Sequence, residues 1–273
     1  MEPLDPSGAP SFRACGLVTL TTDFGLVDPY VGIVHGVILA RASGARIVDL
    51  CHAIPPQDVA RAAYFLAHAR AYFPSGTVHV AVVDPGVGSA RRILVALDGG
   101  QAFLAPDNGL LAPVLSAEAR VRELDVPRFA LPGTGRTFHG RDVFAPAAAA
   151  LVNGQVDPLS AGRGPQLAFQ RTELPRARLD GASAQARVLF ADRYGNLVLD
   201  ARAADLGDDP SRWVVEVGGH SIGVLGAYAE AAPGAPLALV DSFGSLEIAV
   251  RDGNAAQCLG LGSGDRVNLR RIR

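Results

Sequence analysis

Residues 80–97 read VAVVDPGVGSARRILVAL. A β-branched apolar run ends in Asp84, a glycine-rich loop runs from Pro85 to Ser89, two arginines close it, and a second apolar run starts at Ile93. A dinucleotide-binding turn opens in the same way, but it needs GxGxxG and then a helix whose N-terminus faces the pyrophosphate. Here the loop is Gly86-Val87-Gly88-Ser89-Ala90-Arg91, so the third glycine is missing, and the following ILVAL has strand character. Without a helix no dipole serves the phosphates. The context argues against nicotinamide dinucleotide binding, and the methyltransferase version of the glycine loop fails for the same reason. What remains is a carboxylate, Asp84, at the C-terminal end of a strand, where open α/β sheets bind ligands. Arg91 can fold back across the glycine turn to meet it. The loop alone leaves open whether this is an ion pair closing a turn or part of a site.

Working outward, LVTLTT (17–22) is β-rich and ends at Asp23-Phe24-Gly25. Residues 28–42 carry Val31, Val34, Val37 and Ile38 at helical spacing, and ARIVDL (45–50) reads as the next strand. PPQDVARAAYFLAHARAYF (55–73) is an amphipathic helix with its prolines at the start, where a missing N–H costs nothing. TVHVAVVD (77–84) is mostly apolar, as a strand buried on both faces should be. This order predicts an α/β domain with a mainly parallel sheet, Rossmann-like but lacking the dinucleotide fingerprint. Asp98-Gly99-Gly100-Gln101 then predicts a hairpin, PDNGLLAPVL (106–115) a turn leading into a helix, and GRDVFAPAAAALVNG (140–154) an Ala-rich helix stopped at Gly154. Short strands separated by Gly, Asp and Asn fill the last third and predict a small antiparallel β-barrel or sandwich. The expected division is a tail over 1–15, an α/β domain over 16–170 and a β-barrel domain over 171–273.

Apolar residues make up 49% and charged residues 19% of the 273, enough for a sizeable core. A formal net charge of -2 gives no invitation to nucleic acid. Every basic residue is arginine, which excludes lysine Schiff bases and the Walker lysine. Cys15, Cys51 and Cys258 are odd in number and far apart, so neither a disulfide framework nor a zinc ribbon is expected. No signal-like or membrane-spanning apolar run is evident, and a cytoplasmic protein is expected.

Four further polar clusters stand out. His139 lies in RTFHGRDVFAP (136–146) at a helix entrance and suits proton handling. Asp23 ends a strand where a carboxylate can grip a ribose diol or simply cap a turn. In ADRYGN (191–196), Asn196 can read an adenine edge or sit in a hairpin turn. In DSFGSLEIAV (241–250), Ser242 and turn amides can take a carboxylate.

Together, LTTDFG, IVDLCHAIPPQDV, VVDPGVGSARR, APDNGLL, TFHGRDVFAP, DRYGN and DSFGSLEIAV occur in the order and approximate spacing of one family. The chain resembles the S-adenosyl-L-methionine (SAM) hydroxide adenosyltransferases, SAM hydrolases related to the fluorinases and chlorinases, over about residues 17–272. The resemblance implies that SAM and water give adenosine and L-methionine, with SAM as substrate and neither cofactor nor metal. It also implies a homotrimer whose sites lie between the α/β domain of one subunit and the barrel of the next. It places the water-activating set on Asp84, Arg91 and His139. It places substrate contacts on Asp23 (ribose), Phe24, Asp192 (methionine amine), Tyr194, Asn196, Tyr228, Ser242 (carboxylate) and Phe243. Halide users carry Tyr-Pro and a serine around the halide; here those positions hold Asp84 and Gly140, and their tryptophan is Gln57. A carboxylate repels a halide at close range. A halogenase of the same family and a SAM-binding sensor without turnover are the alternative expectations.

Overall fold

The computed structural model describes residues 12–272, in two compact units that divide between Glu173 and Leu174. The expected tail falls, for residues 1–11, outside the described residues.

The first unit is built on a seven-stranded sheet of order β2-β1-β3-β5-β4-β6-β7. Its strands are β1 (Leu17–Thr22), β2 (Arg46–Cys51), β3 (Val78–Val82), β4 (Ile93–Asp98), β5 (Gln101–Pro106), β6 (Arg120–Leu124) and β7 (Gly162–Arg163). From β2 to β5 the neighbours are parallel, with Leu20 opposite Val80 and Val80 opposite Leu104. The remaining pairings, from β5–β4 to β6–β7, are antiparallel. The β4–β5 hairpin turns through Gly99 and Gly100, with φ of 56° and 74°. A tight turn with two positive φ angles is what glycine permits and what matches strand twist.

The apolar run of β3 serves two cores by its period of two. Val78, Val80 and Val82 pack with Val34 and Ile38 of helix α1 (Tyr30–Arg41). Ala81 and Val83 face the other way, onto Ala62, Ala63 and Leu66 of helix α2 (Val59–Ala69). Helices therefore cover both faces, and the inner parallel strands β1, β3 and β5 are buried as their composition demands, while the edge strand β2 is partly exposed. The side chain of Asp58 starts α2 by accepting from Arg61 N–H at 3.0 Å.

Two expected helices differ in detail. Residues 107–115 form successive turns, not a helix: Ala112 N–H reaches Gly109 O and Val114 N–H reaches Leu111 O. Gly109, at φ 92°, breaks the α conformation before it can propagate. The 140–154 segment begins as a π-helical turn, Gly140–Phe144, and becomes α-helical only in α3 (Ala145–Val152). Such turns often occur at functional sites.

The second unit is a closed barrel. Its strands are β8 (Arg178–Asp180), β9 (Ser183–Ala191), β10 (Leu197–Arg202), β11 (Trp213–Val217), β12 (His220–Leu225), β13 (Pro236–Val240), β14 (Ser245–Val250) and β15 (Arg266–Arg271). Their order is β10-β14-β13-β12-β11-β15-β9-β8, and a β9–β10 pairing closes the ring. Closure removes the open edges. The pairings are antiparallel except β12–β13, where Val224 and Ala238 run parallel. Alternate residues of β9, Ala184, Ala186 and Val188, point inward with Leu197, Leu199, Val215, Leu246 and Ile248. Buried Trp213 satisfies its indole N–H on Leu206 O at 2.8 Å. Among the described residues, no helix is long and apolar enough to cross a membrane.

Candidate active site

Strands β1 and β3 are parallel neighbours, with Thr22 opposite Val82. Asp23 and Asp84, each just past a strand end, therefore emerge side by side at the carboxyl edge of the sheet. The loop between Asp84 and Arg91 is folded by its own polar groups. Val87 N–H bonds Asp84 O at 3.2 Å, and the Ser89 hydroxyl bonds Gly86 O at 2.6 Å and accepts from Arg91 N–H at 3.2 Å. Gly88, at φ 77°, leaves no room for a side chain, because a Cβ there would lie 2.3 Å from Arg136 O.

That fold returns Arg91 onto Asp84. Its Nε lies 2.9 and 2.8 Å from the two carboxylate oxygens, and its Nη2 bonds both Asp84 Oδ2 and His139 Nδ1, the latter at 2.9 Å. The Asp84 and Arg91 side chains are only 5% and 10% exposed. A guanidinium can only donate, so Nδ1 of His139 must accept and the neutral ring carries its proton on Nε2. Burial and the Arg91 charge push the His139 pKa below its ordinary 6.5, outweighing the opposing pull of Asp84, Asp142 and a hydrogen bond to the Gly135 backbone. His139 is thus a neutral imidazole at neutral pH, with its Nδ1 lone pair committed to Arg91. Asp142, 2% exposed, steadies the segment before it by accepting from Gly135 N–H at 3.1 Å.

Asp84 and His139 border a cleft of about 280 Å³ that is also lined by Asp23, Phe24, Gln57 and Phe138, with Arg91 bonded to both from outside the lining. Asp23 Oδ2 accepts from Gln57 N–H at 2.9 Å. Gln57 adopts φ 68°, a left-handed conformation uncommon for a residue with a side chain, and it is this turn that presents its amide. Phe24, Tyr30 and Phe138 form an edge-to-face trio with centroids 5.2–6.2 Å apart. Gly140 lies under it, where a Cβ would meet Phe24 at 3.0 Å and Phe138 at 3.2 Å. The serine of halide users therefore has no room at this position as the rings stand.

In the barrel unit, Asp192 organises its own turn. Its Oδ1 accepts from Tyr194 and Asn196 N–H, each at 2.8 Å, and Oδ2 accepts from the Asn196 side chain at 3.3 Å. DRYGN is a hairpin turn, with Asn196 8% exposed and its side-chain amide on Asp192, while Tyr194 is 75% exposed. Asp241 plays the same part for the turn carrying Ser242 and Phe243, accepting from Phe243 and Ser245 N–H. Tyr228 donates to Glu247 Oε1 at 2.7 Å. Sequence reasoning missed Glu247. It is 4% exposed, and burial, reinforced by the charges of Asp192 and Asp241, pushes its carboxyl up to about 7 despite the Tyr228 hydrogen bond. The signal was there: one acid inside the otherwise apolar strand SLEIAV. The structure thus gathers Asp84, His139, Asp23 and Phe24 around one cleft, with Arg91 bonded to Asp84 and His139. Within the barrel unit, Asp192, Asp241, Tyr228 and Glu247 lie within electrostatic reach of one another.

An α/β unit carrying ligand groups at its strand ends, paired in sequence with a closed barrel, is the architecture the motifs led us to expect. Comparison with known proteins identifies it. The profile of the SAM hydroxide adenosyltransferase N-terminal domain matches residues 18–161, and that of the C-terminal domain matches residues 186–268. The chain belongs to this family. It is 45% identical over 262 residues to the (R)-S-adenosyl-L-methionine hydrolase of Thermus thermophilus, covering 92% of this chain and 98% of that one. A fluorinase from Actinoplanes sp. is 27% identical over 164 residues, about half of each chain. The crystal structure of an uncharacterized conserved protein from Thermotoga maritima superposes with a TM-score of 0.85 at 31% identity, covering 93% of this chain and all of that one.

Proposed function

We propose that the protein hydrolyses SAM to adenosine and L-methionine, with Asp84 as the group that receives the proton of the attacking water. The observation that carries this is the buried carboxylate of Asp84, clamped by Arg91 on the wall of the cleft, beside an imidazole whose facing lone pair is already engaged. The C5′ carbon of SAM bears a sulfonium, so its leaving group is a neutral thioether and needs no acid. What the reaction lacks in water is a nucleophile placed in line, and a closed site supplies that. As the water oxygen bonds C5′, the C5′–S electron pair returns to sulfur and the water's proton passes to Asp84. Arg91 fixes the carboxylate and balances charge at the incoming oxygen; His139 fixes Arg91. Asp23 grips the ribose diol and Phe24 borders the nucleoside.

The same reading assigns Asp192 to the methionine amine, Ser242 to its carboxylate, and Tyr194, Asn196, Tyr228 and Phe243 to the remaining contacts. It takes a homotrimer as the working assembly and needs neither cofactor nor metal in the chemical step. It places the enzyme in the cytoplasm, where Cys15, Cys51 and Cys258, all free, stay reduced. The Thermus relative's name specifies the R sulfonium epimer, and we extend that preference to this chain. A halide user is disfavoured by Asp84 itself and by the crowding over Gly140.

Incubation of the purified protein with each SAM epimer in ¹⁸O-water tests the proposal. Adenosine labelled at its 5′-oxygen together with free methionine is the expected product. Asp84→Ala should abolish turnover and retain SAM binding. Tight SAM binding by the unmodified protein without product would make it a sensor, and full activity in Asp84→Ala would refute the assignment. A sedimentation mass of a single subunit would remove the trimer.

A further inference from the structure

Away from the cleft, three donors distant in sequence converge on the edge of the α/β sheet. His35 sits on α1, Asp49 on the edge strand β2, and His52 immediately beyond β2. His35 Nε2 lies 2.9 Å and His52 Nε2 3.0 Å from the same oxygen, Asp49 Oδ1. The three donor atoms all fall within 4.8 Å of one another. On its other side, the His52 ring places Nδ1 2.8 Å from Thr22 Oγ1.

The telling atom is His52 Nε2. The side chain is 3% exposed, yet this nitrogen is not aligned for a hydrogen bond to Asp49 and has no hydrogen-bond partner. A buried polar atom in that state costs free energy unless something binds it. Thr22 Oγ1 accepts from Phe24 N–H at 3.2 Å and has a further lone pair for Nδ1–H of His52. That tautomer turns the Nε2 lone pair onto a carboxylate oxygen, and a cation between the two relieves the repulsion. Ligating histidines are held in this manner, with the remote ring N–H on a fixed acceptor.

We infer that His35, Asp49 and His52 form a zinc-binding site, with two imidazole nitrogens and one carboxylate oxygen as ligands and water completing the coordination. Two nitrogen donors suit Zn²⁺ and not Mg²⁺ or Ca²⁺, which take oxygen. Tetrahedral zinc with bonds of about 2.0–2.1 Å separates its ligand atoms by about 3.3 Å. The contacts to Asp49 need to open by only a few tenths of an ångström, which His35 and Asp49, 29% and 39% exposed, are free to provide. The site reaches the candidate active site mechanically. Gly25 N–H bonds His52 O at 2.8 Å, and Thr22 immediately precedes Asp23, so zinc would pin the loop that carries Asp23 and Phe24.

The test uses the untagged full-length protein, stripped with chelator and titrated with ZnCl₂ by calorimetry, with bound metal counted by mass spectrometry. One equivalent per chain, micromolar or tighter, and a raised melting temperature are expected. His35→Ala and Asp49→Asn should each weaken binding by at least about 10-fold, and Thr22→Val by about 10–100-fold. His220→Ala, which removes an exposed barrel histidine, should change nothing. Failure to saturate, or equal affinity in the parent protein and His35→Ala, would overturn the inference. If Asp49→Asn does not fold, His35→Ala decides alone: tetrahedral Co²⁺ absorption must be present in the parent protein and absent in that variant.

Discussion

Gly140→Ala is the most direct probe of how the aromatic wall sets the cleft. The added Cβ would lie 3.0 and 3.1 Å from two atoms of the Phe24 ring and 3.2 Å from Phe138. Ordinary carbon contacts begin near 3.5 Å, so each ring must give way by a few tenths of an ångström. Both rings are half-buried and packed edge-to-face with Tyr30, so neither moves independently. Overpacking of this kind costs about 1–3 kcal/mol. That corresponds to a fall of roughly 2–10 °C in the melting of the α/β unit. The effect on turnover should be larger than stability alone implies, because Phe24 and Phe138 line the cleft. We expect about a 10-fold loss of kcat/KM, since misplacement by an ångström costs about 100-fold. Calorimetry and single-turnover adenosine formation measure the two effects. Gly140→Ser should lose at least as much, and adding Phe24→Leu to Gly140→Ala should recover melting temperature but not activity. Unchanged melting and turnover in Gly140→Ala would show that the rings do not define the cleft.

Two other outcomes follow from the electrostatics. Arg91→Lys keeps the charge but cannot bond both Asp84 oxygens and His139 together. Turnover in single-turnover adenosine formation should fall on the order of 100-fold, and an unchanged rate would count against the clamp as the device that holds Asp84. For Glu247, a folded-state pKa raised from 4.5 to about 7 means the native barrel favours the protonated acid. Its stabilisation is therefore full below about 4.5 and lost as pH rises through about 7, a change on the order of 3 kcal/mol. Glu247→Gln should flatten that part of the stability–pH curve, and parallel curves for the two proteins would refute it.

What was readable in the sequence is what period and punctuation encode. The alternation in VHVAVV places residues on both faces of a buried strand, and the Gly99-Gly100 pair specifies its own turn. Asp84, ending that strand, is placed at the ligand edge by the parallel topology alone. What was not readable depends on contacts between segments that no local pattern announces. Residues 107–115 open with turn residues and then look helical, but Gly109 takes a positive φ and the chain keeps turning. The left-handed Gln57 is invisible in PPQDV because its reward, an amide bonded to Asp23, lies 34 positions away. The histidine pair shows the same limit most clearly. His35 and His52 have no ligand spacing along the chain; only the β1–α1–β2 crossover brings the helix over Asp49 on the edge strand and leaves Nε2 of His52 facing it. The family motifs locate the reacting groups because strand ends are fixed by topology. The supports behind them, Thr22 and His52 for Asp23, and Gly135 and Asp142 for His139, are fixed by packing and emerge only in three dimensions. Substitutions at these supports should therefore displace the groups they hold and lower turnover with every residue that touches substrate still present.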